Sequence, residues 1–155
     1  MEVYFDTKTI SAKLRKQLVE ACEFYANLLM DPRMVRGLRI DLDVSKSLDT
    51  MGECVNEDGT ARPRWFTISL RDKKTDDSIF KTLAHEMVHV KQYAKGELGK
   101  DMVVTKGGFK VLTNWMGDPW KPKSKEDGYF DSPWEIEAYG REVGLYKRWV
   151  EHCGG

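Results

Sequence analysis

The chain reads as an α+β domain in which a small, mostly antiparallel sheet packs with three helices: one N-terminal, one central and one C-terminal. Three observations carry that reading. Apolar residues recur at three- and four-residue spacing in three separate stretches. Two shorter runs between the first and second stretches show the two-residue period of strands. Gly, Pro, Asn and Asp cluster at the junctions, where turns are needed.

Residues 3–10 suit a short strand or extended lead-in. Ser11 is a plausible N-cap for a long helix reaching about Met30, with Leu14, Leu18, Cys22, Tyr25 and Leu29 on its apolar face. Asp31-Pro32 ends it, since proline cannot continue the hydrogen-bond ladder. Residues 38–44, Leu-Arg-Ile-Asp-Leu-Asp-Val, alternate apolar and charged side chains as a half-buried strand does. Residues 48–55 form a weaker strand candidate, followed by turn chemistry at 56–59. Residues 64–70, Arg-Trp-Phe-Thr-Ile-Ser-Leu, are strand-like again, and Pro63 at their start suits a sheet edge, where a missing N–H costs little.

Thr75 or Asp76 can cap the central helix, and Asp76-Asp77 suit the positive end of its dipole. That helix should run to about Lys95, with Gly96 as its C-cap. Residues 97–132 carry one possible strand, 109–115, and otherwise read as loops broken by glycine and proline. So long a connection in a compact domain suggests a wall or cover for a cleft. Ser132-Pro133 opens the last helix, with Glu135 three residues after Ser132 as in a capping box.

The central helix holds the chemistry. It contains His85-Glu86-Met87-Val88-His89, and two of the chain's three histidines fall inside this pentapeptide. On a helix His85 and His89 lie one turn apart on one face, so both imidazoles can grip one metal ion. Glu86 is offset around the helix and is free to take a proton from a water. Ile79, Phe80, Leu83, Ala84, Met87, Val88 and Val90 would bury most of the helix. Ser78, Thr82, His85, His89 and Gln92 form a polar stripe, which on an otherwise apolar helix lines a cleft. The donor set suits zinc, and a catalytic zinc usually takes three protein ligands plus water. The third ligand is open among Glu135, Glu137, His152 and, more remotely, Cys54. Glu135 shares the more buried-looking face of its helix with Ala138, Tyr139, Glu142 and Tyr146, and a carboxylate there needs a partner such as a cation. Tyr129, Tyr139 and His152 are candidates to steady the oxyanion of a hydrolysed carbonyl.

Taken together, His85-Glu86-Met87-Val88-His89 and the downstream Glu135-Ile136-Glu137-Ala138 resemble the gluzincin metallopeptidases, in particular the short minigluzincin and SprT-like forms of phage or bacterial type. The resemblance implies a minimal zincin-like fold, zinc held by His85, His89 and Glu135, and Glu86 as the catalytic base. It also implies a peptide or protein substrate, and a cleft-side edge strand just before the central helix, here 64–70. Many members carry Asp four residues after the ligand Glu to orient a histidine; this chain has Tyr139 there. A zinc-holding scaffold with little turnover is the competing reading, and Glu86, which a structural site does not require, weighs against it.

Composition sets the remaining expectations. Length, 155 residues, is that of one domain spanning 1–155 with a sizeable core. Lys plus Arg balances Asp plus Glu at 25 each, which gives no electrostatic case for nucleic acid or an anionic membrane. The first residues lack the pattern of a secretory signal, and no apolar run approaches a bilayer span. Three scattered cysteines suit reduced thiols, so a cytoplasmic setting is expected.

Overall fold

A computed structural model describes residues 1–6, 9–72, 78–123 and 128–155. The described residues form an α+β fold of four α-helices and two small sheets. In chain order these are β1 (Glu2–Phe5), α1 (Ala12–Leu29), α2 (Pro32–Arg36), β2 (Arg39–Ser45), β3 (Gly52–Asn56) and β4 (Trp65–Arg71). There follow α3 (Ser78–Ala94), β5 (Leu98–Thr105), β6 (Gly108–Trp115), β7 (Asp118–Pro119), a 3-10 turn at Tyr129–Asp131 and α4 (Pro133–His152). The expected caps at Thr75 and Asp76 lie outside the described residues.

Three of the five strand pairings are antiparallel, yet the larger sheet departs from expectation. Its order is β1-β2-β4-β3, with β1, β2 and β4 mutually parallel and β3 antiparallel to β4. The parallel β1–β2 pair follows from α1 and α2, which form a helical crossover between them. Strand β4 is therefore interior, and the edge expected at 64–70 belongs to β3. Pro63 is tolerated because it sits just before β4 begins and its missing N–H falls outside the ladder.

Ile40, Leu42 and Val44 of β2 and Phe66, Ile68 and Leu70 of β4 point to one buried face. They meet Leu18, Cys22 and Tyr25 of α1 and Leu83, Met87 and Val88 of α3 in a single core. The Tyr25 hydroxyl donates to the Phe80 carbonyl at 3.0 Å, which ties α1 to α3 and satisfies a buried polar atom. Trp149 of α4 closes the core from the other side, stacked against Phe80 with ring centroids 6.0 Å apart. On the opposite face of the sheet Arg39 lies between the rings of Tyr4 and Trp65, at 4.8 and 4.7 Å, and bonds to Asp41.

Ser11 caps α1 as expected, accepting from the Leu14 N–H. Asp31-Pro32 does end α1, but Asp31 also caps a further short helix, α2, that apolar spacing over five residues does not reveal. Helix α3 stops at a Schellman arrangement: Gly96 has φ +74°, its N–H reaches the Tyr93 carbonyl, and the Glu97 N–H reaches the Gln92 carbonyl. Arg64 donates to the Ala94 carbonyl at 2.8 Å, placing a cation at the negative end of α3.

Residues 97–119 form the largest departure. They make a hairpin, β5–β6, with its register fixed from Leu98↔Trp115 to Thr105↔Gly108 and a two-residue loop at Lys106-Gly107. A second tight turn at Met116-Gly117, with φ 52° and 89°, adds β7. Trp115 and Trp120 pack on Trp134 at the start of α4, at centroid distances of 6.2 and 4.9 Å, and fix the hairpin's base there.

Candidate metal centre

Helices α3 and α4 pack against each other and bring residues some 50 positions apart onto one point. His85 and His89 project from one face of α3, as the four-residue spacing requires. Glu135 enters from the first turn of α4, and all three residues are buried. Its Oε2 lies 3.1 Å from His85 Nε2 and its Oε1 lies 3.0 Å from His89 Nε2. The three ligand atoms lie within 4.8 Å of one another, so the group could hold a metal ion. The capping-box role expected for Ser132 and Glu135 is not made: the Ser132 hydroxyl donates to the Tyr129 carbonyl at 2.6 Å, and Glu135 turns to the histidines.

The outer nitrogens fix both rings. His85 Nδ1 donates to Glu142 Oε2 at 2.8 Å, and Glu142 also pairs with Lys81 at 3.4 Å. His89 Nδ1 donates to Gln92 Oε1 at 2.8 Å. The orientation of Gln92 is set by its own amide nitrogen, which donates to the Trp134 carbonyl and to Glu137 Oε1, both at 2.9 Å. Gln92 therefore presents only its oxygen to His89, so Nδ1 carries a proton; with no ion between them Nε2 can also carry one and donate to Glu135 at 3.0 Å, and a metal ion would take the place of that proton. The same logic at Glu142 leaves His85 Nε2 free to ligate.

Burial alone would raise the Glu135 pKa, but bonds from His85, His89 and Tyr129 outweigh it and hold the carboxyl at about 2. Burial pushes Glu86 the other way, up to about 7; Glu135 and Glu53 add to the rise and the two histidines oppose it. Burial lowers both imidazoles, and the facing carboxylates more than reverse this, so both are raised.

The other candidates fall elsewhere. Glu137 is engaged by Lys91 at 2.8 Å, by Arg141 at 3.2 Å and by Gln92, so it steadies the residue that orients His89. His152 stacks on Phe24 at 4.7 Å and on Trp149 at 5.8 Å, outside the site. Cys54 lines the cleft from β3 but is not among the clustered donors, and burial raises its thiol pKa. Tyr139 packs edge-on against His85 with centroids 4.5 Å apart. Tyr129 lines the cleft and packs edge-on against Tyr139 with ring centroids 6.3 Å apart, and burial together with the nearby Glu135 carboxylate raises its hydroxyl pKa. Glu142 and Gln92 had no assigned role in the sequence; the signal was present, since Glu142 lies two turns beyond Glu135 on one helical face and Gln92 one turn beyond His89.

These groups open onto a cleft of about 1070 Å³. Its walls are the edge strand with its lead-in (Leu48–Cys54), the His85-Glu86-His89 face of α3, the start of α4, and Leu98, Lys100 and Thr113 of the hairpin. Gly52 faces Glu86 so closely that a Cβ there would sit 2.9 Å from Glu86 Oε1 and 2.5 Å from Thr82 Cγ2. No protein-family model, curated protein or solved structure matches the chain. Among the described residues no helix is long and apolar enough to cross a membrane.

Proposed function

We propose that the protein is a zinc-dependent metallopeptidase of the gluzincin kind, with a zincin-like arrangement of its helices and edge strand. One observation carries the reading: a further side chain, the acidic Glu86, opens onto the cleft shared by His85, His89 and Glu135 without joining them. A site that merely stapled two helices would need the three donors and no spare carboxylate. The donors fit the metal: two imidazole nitrogens and one carboxylate oxygen, with outer partners on both rings, leave a fourth position open in the manner of catalytic zinc.

Zinc held there would lower the pKa of a water and polarise a peptide carbonyl. Glu86, a buried carboxyl on the cleft wall, accepts the proton of the attacking water and delivers it to the leaving amine. Tyr129 and Tyr139, which both line the cleft and pack against each other, are the candidate donors to the developing oxyanion. The edge of β3, which pairs with no other strand among the described residues, receives the substrate as one more extended strand, through main-chain hydrogen bonds. A bound peptide would lie between that edge and the imidazoles.

Zinc content and cleavage of casein or peptides test the reading in wild type, Glu86→Gln and Glu135→Ala. Glu86→Gln should keep its zinc and lose turnover by about 10²-fold or more. Glu135→Ala should lose both. Wild type free of zinc when freshly purified overturns the metal centre; zinc without turnover on any substrate makes the protein a zinc-holding scaffold.

A further inference from the structure

The hairpin β5–β6 distributes its apolar side chains unevenly. Directly paired residues share a face, so Lys100 with Thr113, Met102 with Val111 and Val104 with Phe109 all project to one side. Lys100 and Thr113 line the cleft. Further along that side Met102, Val111, Val104 and Phe109 are 70%, 60%, 75% and 75% exposed. The opposite side carries Asp101, Thr105, Lys110 and Asn114 around Val103 and Leu112. An apolar strip that begins at the wall of a cleft and runs outward uncovered marks a binding surface.

Continuity decides its occupant. Lys100 and Thr113 join the cleft wall to the same face of the hairpin, so a polypeptide lying along the cleft and continuing past them would leave over that face. Resting on the peptidase reading above, we propose that the Met102–Val104–Phe109–Val111 face is an extended subsite that binds an apolar segment of the substrate polypeptide, beyond the scissile bond. From Lys100 at the cleft wall to Val104 the strip runs four residue steps, about 13 Å at strand rise, of which the apolar face from Met102 to Val104 takes about 7 Å, so about four residues of extended chain cover the whole strip. Such a segment is buried in folded proteins and exposed in unfolded ones, so the preferred substrate is an unfolded chain with an apolar stretch next to the cut.

Two peptides test this on the zinc-loaded protein: a hexapeptide that fills only the cleft, and the same peptide extended by five apolar residues, on either end in turn. One of the extensions should raise kcat/KM by about tenfold, mainly through KM, which corresponds to about 1.4 kcal/mol. In Met102→Ser/Val104→Ser/Phe109→Ser/Val111→Ser the ratio of extended to short peptide should fall to about one, and Phe109→Ser alone should lower it part of the way. No gain from either extension in wild type, or a gain that survives in the quadruple variant, overturns the proposal. So does loss of sedimentation with phosphatidylcholine–phosphatidylglycerol vesicles in that variant while the gain persists, which would make the face a lipid-binding one. Absence of turnover on every peptide with zinc retained sinks the peptidase reading instead. Fluorescence anisotropy of the two labelled peptides with Glu86→Gln then decides the face alone: equal affinities overturn it, and tighter binding of the extended peptide sustains it.

Discussion

At Gly52 the edge strand runs so near α3 that no side chain fits between its backbone and Glu86. Gly52→Ala should push the carboxylate aside or lift the strand, and either moves the base relative to the substrate. A displacement of that size costs up to about 10²-fold in rate when it misaligns reacting groups. Peptide turnover should therefore fall while zinc content stays at one ion per chain; loss of zinc would place the damage in the helix and not in Glu86. The imidazoles give a second expectation. Facing carboxylates raise both pKa values, so in the metal-free protein the proton competes for His85 and His89 up to a higher pH than usual. Metal binding must release those protons, so affinity should weaken as pH falls through and below neutrality. Zinc titrations between pH 5.5 and 7.5, with proton release followed in weakly buffered solution, check both the sign and the coupling.

Between helices the decisive contacts are made by residues that hold others. Glu142 fixes the ring of His85 from two turns further along α4, the role the family pattern gives to the position of Tyr139. Glu142→Gln should weaken zinc binding by about 10–100-fold without unfolding the protein, as measured by competition with a chelating dye. The three long helices and the strands β2 and β4 were legible because each buries one face, so periodicity shows in Leu14 to Leu29, Ile79 to Val90 and Ile40 to Val44. Strand β5 was not, since Gly99 to Thr105 leaves both sides largely in solvent and burial imposes no alternation. Its support is the cross-strand ladder and the tryptophans at its base, which are long-range facts. The parallel pairing of β2 with β4 was equally hidden: register within a sheet depends on where β3 settles, and residues 52–56 are too short and too exposed to announce an edge. Glu135 was legible as a candidate ligand only through its company, an apolar helix face and the motif upstream; its turn from helix cap to the two histidines is a property of packing.

Across the whole molecule the core and the site share the same helix. Phe66 is fully buried between the sheet and α3, and Phe66→Ala should lower unfolding free energy by about 3–5 kcal/mol in urea titrations, with zinc content unchanged in the folded fraction. The metal donors reach across the same packing from the other direction. His85 and His89 belong to a helix anchored in the sheet, whereas Glu135 belongs to a helix that closes over it after the hairpin. An ion shared by them would act as a clasp on the chain, closing a loop of some fifty residues, so its binding free energy would add to the stability of the closed form. Chelation should then do more than silence chemistry: α4 and the hairpin base beneath Trp134 should be the first segments to exchange their amide hydrogens, ahead of α1 and the parallel strands. In a cell, zinc supply would govern how long the chain survives as well as whether it works.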